Sequence, residues 1–169
     1  MLERYLKRTE FSSYEDFRDN FDIDIPSGFN FAFDVVDEWA RKEPGKLALL
    51  WTDDEGGEER ISYAELTERT DRAANFFRAA GVRKGDPVML ILRRRHEFWT
   101  AIIGLHKIGA VAIPATHLLT VKDIVYRNNA ADIRMIVSIA DPSIMERIDE
   151  AQAKSPSLAA KAFVSFGAF

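Results

Sequence analysis

PVMLIL (residues 87–92), RRRHEFWTAIIGLHKIGA (93–110), VAIPATHLL (111–119), TVKDIVYRNNA (120–130) and ADIRMIVSI (131–139) make up the stretch that decides the fold. Three apolar runs of strand length alternate with two segments of helix length. None of the runs alternates polar with apolar residues. That is the pattern of strands buried on both faces, as in a parallel sheet covered by helices. Strand–helix–strand–helix–strand order predicts an α/β fold, with a mostly parallel sheet flanked by helices. Strands are expected at 88–92, 111–114 and 134–139. A crossover helix at 97–108 should turn Phe98, Ile102 and Leu105 inward and stop at Gly109. Thr120-Val-Lys-Asp123 resembles a capping box and opens a second helix that ends near Ala130.

Downstream, Asp141-Pro142 supplies an N-cap and a proline at the first helical position, so a helix should run from 142 to about 153. A loop at Ser155-Pro156-Ser157 leads to a fourth strand at 162–166. The chain then stops directly after a strand of the buried type, so further sequence is expected beyond it.

Upstream, Ser62-Tyr-Ala-Glu65 matches the S-x-x-E capping box. The helix it starts carries Leu66, Ala73, Ala74 and Phe77 inward and ends near Gly81, with Glu68, Arg69, Arg72 and Arg78 as a solvated face. Residues 47–52 and 58–62 flank an acidic turn (Asp53, Asp54, Glu55) closed by Gly56-Gly57, an N-terminal β-hairpin. Residues 31–42 read as a helix with Asn30 as its cap and Phe31, Val35, Val36 and Trp39 on one face. Residues 1–30 form a lead-in. Its short helix near 13–20 should pack Tyr14, Phe17 and Phe21 onto the main body, a mobile arm being the alternative. The domain reading is therefore a lead-in at 1–30 and an α/β unit at 31–169.

Composition narrows the function classes. At 169 residues the chain is one domain or part of a larger one. Its net charge of -4 is spread without long one-sign blocks, which argues against a nucleic-acid partner. The absence of cysteine excludes disulfides, thiolate metal sites and a cysteine nucleophile. No apolar run approaches the roughly 20 residues of a membrane span. The opening MLERYLKRTEF lacks the apolar core of a signal peptide, so a cytoplasmic protein is expected.

In an open α/β sheet, ligands bind beyond the carboxyl ends of the strands. Those ends carry Arg93-Arg94-Arg95-His96, Ala115-Thr116-His117 and Ala140-Asp141. Arg93, Arg94, Thr116, His117 and Asp141 are the candidates to line one crevice. The arginine run leads into a helix N-terminus, a place suited to anions. The alternative is that these arginines are solvated or pair with Glu97. His96, His106 and His117 are too far apart in sequence for a local metal motif, and His106 reads as a packed helical residue. Trp39, Trp51 and Trp99 are expected in the core. Neither phosphate-binding glycine loop, G-x-x-x-x-G-K-[ST] or G-x-G-x-x-G, is present, nor is the G-x-S-x-G elbow. No catalytic residue is named on these grounds.

The blocks NFAFDVVDEWA, ISYAELTERTDRAANFFRAAGVRKGDPVMLIL and EFWTAIIGLHKIGAVAIPATHLLTVKDIVYR resemble, in order and spacing, the N-terminal part of AMP-forming acyl-CoA synthetases. The resemblance covers about residues 29 to 166 and is closest to the short- and medium-chain carboxylate branch. It implies a ligase that uses ATP and Mg²⁺ to turn a carboxylic acid into an acyl-adenylate and pyrophosphate. The acyl group then passes to coenzyme A. The family's phosphate loop, adenine site and C-terminal domain would lie beyond position 169, so the isolated chain is expected to be inactive. By resemblance, Arg94 matches an arginine before the E-x-W helix, and His96 stands where many relatives have proline. Arg147 is the implied contact on the coenzyme A side. Two alternatives stand beside this reading. One is a non-enzymatic α/β module that self-associates through the surface its truncation leaves open. The other is a fragment of a luciferase-like or peptide-synthetase adenylation domain.

Overall fold

The computed structural model describes residues 2–165. Ser13 starts α1 (Tyr14–Asn20) by accepting from the Asp16 amide. Phe11, Phe17 and Phe21 of this lead-in cluster with one another, and none of the residues of α1 is buried. Tyr14 is 70% exposed, which corrects the expectation that these aromatics dock the segment. The lead-in is joined to the body by Tyr5, whose hydroxyl donates to the Asp34 carbonyl at 3.2 Å and whose ring meets Phe29 edge-on.

Asn30 caps the next helical segment by accepting from the Ala32 amide at 3.0 Å. That segment begins as a π turn at Ala32–Val36 before continuing as α2 (Asp37–Lys42). The Asp37 amide reaches back five residues to the Ala32 carbonyl. The wider turn rotates the face, so Ala32 and Val36 are buried while Phe31 remains 46% exposed. A uniform 3.6-residue period could not anticipate that shift.

The hairpin pairs β1 (Leu47–Thr52) with β2 (Glu58–Ser62), antiparallel, as a sheet of its own. Ser62 and Glu65 form the full capping box of α3 (Tyr63–Ala79). Leu66, Ala73, Ala74 and Phe77 are buried as their spacing requires. The outer face is less solvated than expected, because Arg69 reaches Glu59 of β2 at 2.6 Å and ties α3 to the hairpin.

The main sheet contains β3 (Pro87–Ile91), β4 (Val111–Pro114), β5 (Met135–Ile139) and β6 (Ala160–Val164). They lie in the order β4-β3-β5-β6, and every neighbouring pair is parallel. The connections are α4 (Glu97–Ile108), α5 (Val121–Ala130) and α6 (Pro142–Gln152). Gly109, in the left-handed conformation with φ 71°, ends α4. Thr120 with Asp123 completes a second capping box for α5, and Asp141 caps α6. The central strands β3 and β5 are buried almost throughout, as unbroken apolar runs demand.

Strand β4 departs from that pattern. It is four residues long and partly exposed, with Val111 at 49%, because among the described residues only β3 pairs with it. Strand β6 begins two residues before the position expected from sequence, and Phe166 lies outside the described residues. Trp99 is 50% exposed rather than in the core. It lines an apolar hollow with Phe31, Leu49 and Ile103 at the margin of the smaller core cluster, while Ala101, Leu105 and Ile108 of α4 face the main core and Phe98 and Ile102 are partly covered.

Helices α2, α3 and α4 are joined by a buried ammonium. Lys107 Nζ lies 2.9 Å from Asp37 Oδ1 and 2.6 Å from Asp71 Oδ1, and Thr67 donates to the same Asp37 oxygen at 3.0 Å. Together with Gly104, which lets α4 approach α3 closely, this fixes the helical layer that supports β3.

Candidate functional site at the carboxyl edge of the sheet

A crevice of about 650 Å³ opens beyond the carboxyl ends of β3 and β4. Leu90, Leu92, Phe98, Pro114 and Ala115 line its apolar part, and Arg93, Arg94, Thr116 and His117 supply the polar groups. Four of the five sequence candidates therefore meet there. Asp141 is linked to them rather than lining the crevice, since Arg93 Nη2 lies 3.5 Å from its Oδ2. The other Asp141 oxygen accepts from the Ser143 and Ile144 amides at 3.0 and 3.2 Å. One carboxylate thus caps α6 and braces the crevice loop.

Arg93 has φ 54°, a left-handed backbone that a non-glycine residue rarely adopts. Such strain persists where the surroundings over-determine it. Here the neighbouring loop is pinned: the Trp51 indole N–H donates to the Arg94 carbonyl at 2.8 Å. The Arg94 guanidinium is exposed and makes no ion pair among the described residues. Thr116 Oγ1 accepts from the Leu118 amide at 3.2 Å, which shapes the opposite rim.

Beneath the crevice loop lies an ionic seam. Glu97, first residue of α4, is fully buried. Arg95 grips it with two hydrogen bonds, Nε to Oε2 at 3.1 Å and Nη2 to Oε1 at 2.5 Å. His96, 1% exposed, places Nε2 2.9 Å from Glu59 Oε2 and packs edge-on against Trp51. The pairing of the arginine run with Glu97 was one of the two readings open from sequence, and Arg95 fulfils it. The links to Glu59 and Trp51 of the hairpin carry no local sequence signal.

Arg147 is not in the crevice. On α6 its Nε donates to the Ser143 carbonyl at 3.0 Å and its Nη1 to the Leu119 carbonyl at 2.5 Å, which clips α6 to the start of α5. His106 is half-buried on α4, where burial holds its imidazole below its ordinary pKa.

The crevice brings two guanidinium groups, a hydroxyl and an imidazole over an apolar floor. That set can orient an anion. It contains no nucleophile with an adjacent base. Among the described residues no group of three or more His, Asp or Glu side chains is placed to hold a metal ion.

Residues 36–169 match the family model for AMP-binding enzymes. The rat acyl-coenzyme A synthetase ACSM3, mitochondrial, is 38% identical over 161 residues, covering 92% of this chain and 27% of the relative. The human ACSM1 enzyme, also named mitochondrial, is 37% identical over 150 residues, with 85% and 26% covered. The chain thus spans about a quarter of the length of these curated relatives. A benzoate CoA ligase from Burkholderia xenovorans superposes with a TM-score of 0.66 at 27% identity, over 81% of this chain and 26% of that one. The N-terminal domain of FACL13 from Mycobacterium tuberculosis shares the fold, with a TM-score of 0.71 at 20% identity, over 80% and 34%. The mitochondrial names of the curated relatives overturn the cytoplasmic expectation. The family match over 36–169, on a parallel sheet with a crevice at its carboxyl edge, places this chain in the AMP-binding enzyme family, among relatives that are acyl-CoA synthetases.

Proposed function

We propose that the chain is the N-terminal portion of an ATP-dependent acyl-CoA synthetase, its α/β unit running over 31–169. The complete enzyme joins a carboxylic acid to AMP, releases pyrophosphate, and transfers the acyl group to coenzyme A. The family match over 36–169 carries this reading. Within such an enzyme the present residues build one wall of the ligand site. Arg94 offers the open positive charge, Arg93 and Asp141 hold the loop that presents it, and Thr116 and His117 face it across the crevice. Arg147 stays a proposed contact for the coenzyme A nucleotide.

The isolated chain does not adenylate. ATP activation needs groups that neutralise the charge of the leaving pyrophosphate, supplied by backbone amides, lysine and metal. Neither a phosphate-binding glycine loop nor a metal-holding cluster occurs among the described residues. Carboxylate-dependent ATP–pyrophosphate exchange tests both halves of the reading. A longer polypeptide that contains this sequence should exchange label, and the 169-residue chain should not. Exchange by the short chain, or none by the long one, defeats the corresponding half.

The edge of β4 favours a second property. Among the described residues only β3 pairs with this strand, its Val111 is 49% exposed, and an unpaired strand edge is a template for association. The short chain should therefore run larger than a monomer in light scattering. A monomer at all accessible concentrations would count against it.

A further inference from the structure

Three consecutive arginines follow β3, and the fold uses them differently. Arg93 leans on Asp141 at 3.5 Å, and Arg95 is seated on the buried Glu97. Arg94, between them, is exposed and lines the crevice. What holds Arg94 is its backbone. From the separate hairpin sheet, 43 positions earlier in sequence, Trp51 Nε1 donates to its carbonyl at 2.8 Å.

Trp51 stands opposite Glu59 in the register of β1 and β2, so the two side chains leave the same face of the hairpin. Glu59 Oε2 lies 2.9 Å from His96 Nε2, and its Oε1 lies 2.6 Å from Arg69 of α3. The Trp51 ring meets the His96 ring edge-on, with centroids 5.6 Å apart. One cross-strand pair therefore grips the crevice loop at 94 and at 96. Such a grip answers a local need. Arg93 has φ 54°, and a left-handed residue that is not glycine relaxes unless its surroundings hold it. The peptide unit is rigid, so a donor fixed on the Arg94 carbonyl also fixes the plane from which the Arg94 side chain departs.

We propose that Trp51 is a positioning residue. Its indole holds the Arg94 peptide plane, with Glu59 as the second grip on the loop, so that the Arg94 guanidinium is presented to an anion in the crevice. The purpose rests on the synthetase reading, and the mechanism on the geometry alone.

Trp51→Phe keeps an aromatic ring and deletes the donor. The Arg95 N–H shares the peptide plane of the Arg94 carbonyl, so its NMR order parameter in the 169-residue chain reads the grip directly. That order parameter should be about 0.85 in wild type and fall below about 0.6 in the variant, with Leu90 and Val137 unchanged. An unchanged Arg95 amide, or an equal fall at all three, overturns the proposal. In the longer polypeptide Trp51→Phe should lower kcat/KM for ATP–pyrophosphate exchange by about tenfold at an unchanged urea midpoint, the signature of lost alignment. Arg94→Ala should lower it at least as far, and the double variant no further than Arg94→Ala alone, because Trp51 acts through Arg94. Multiplying losses, an unaffected Trp51→Phe or an unaffected Arg94→Ala each overturn the positioning role. A wild-type polypeptide without exchange defeats the synthetase reading instead, and the Arg95 order parameter still decides the mechanism.

Discussion

Replacing Gly104 with alanine probes the contact on which the helical layer depends. A Cβ at this position would lie 2.8 Å from the Ala73 Cβ, 3.2 Å from the Ala74 nitrogen and 3.2 Å from the Thr70 carbonyl oxygen. Carbon atoms rest at about 3.5–4.0 Å, so α3 and α4 must separate by about 1 Å. Two of the three obstructing atoms are backbone and cannot rotate aside. Overpacking of this kind costs about 1–3 kcal/mol, and the upper half of that range applies. Helix propensity returns about 1 kcal/mol to alanine. The net loss is about 1–2 kcal/mol, or roughly 2–8 °C in Tm for a domain of this size. Thermal and urea melts of wild type, Gly104→Ala, Ala73→Gly and the double variant measure it. Because Ala73→Gly removes the nearest obstructing atom, the double variant should be more stable than additivity predicts, by about 1 kcal/mol. A Gly104→Ala protein as stable as wild type, or a cycle with no coupling, refutes the close-contact account.

Lys107→Met keeps the side-chain stem but strands Asp37, whose side chain is 13% exposed. Asp71 is 57% exposed and contributes little, so the loss should fall near the low end of the range for broken buried pairs, about 3 kcal/mol in urea melts. Adding Asp37→Leu should recover most of it. Ser62→Ala removes the cap of α3 and should cost about 1 kcal/mol by the same assay. Hydrogen bonds from the Ser62 amide and hydroxyl hold the Glu65 carboxyl below its ordinary value of 4.5, and those from Thr120 hold Asp123 below 3.8. Unfolding at low pH therefore takes up protons, so this stabilisation is complete above those values and fades as pH falls through the native ones. Glu65→Gln with Asp123→Asn should flatten the acid limb of Tm against pH. His106 works at higher pH: burial lowers its pKa from 6.5, so the unfolded chain binds the proton first. Stability should decline as pH drops below 6.5, and His106→Gln should remove that slope; an unchanged slope assigns it elsewhere.

Much of the sheet was legible because its signals are local. Unbroken apolar runs named β3 and β5, and both S/T-x-x-E/D boxes formed with both of their reciprocal bonds. The crevice followed from one rule about strand ends, applied to three loops. What escaped the sequence was set by distant partners. Trp99 had the apolar identity of a core residue, yet nothing in its neighbourhood told which side of α4 would be covered. Strand β4 read as fully buried because residue types do not report whether a pairing strand exists. Phe31 was misplaced by a π turn whose extra residue leaves no mark on periodicity. The pairing of Arg95 with Glu97 was within reach of the sequence, two residues apart, but Glu59, some 37 positions before His96, gives that imidazole a partner no local pattern shows. Arg147 showed the reverse, a charged residue whose donors are taken up by carbonyls of its own fold.

The central claim is that these residues form one wall of a larger synthetase. The most direct test is the intact mass of the polypeptide that carries this sequence in its source cells. The account predicts a species roughly three and a half times the 19.2 kDa of this chain, as the match of 92% of this chain to 27% of the rat relative implies. A native product of 19.2 kDa, with no longer form, would contradict it and leave the sheet edge at β4 to be covered by another copy of the chain.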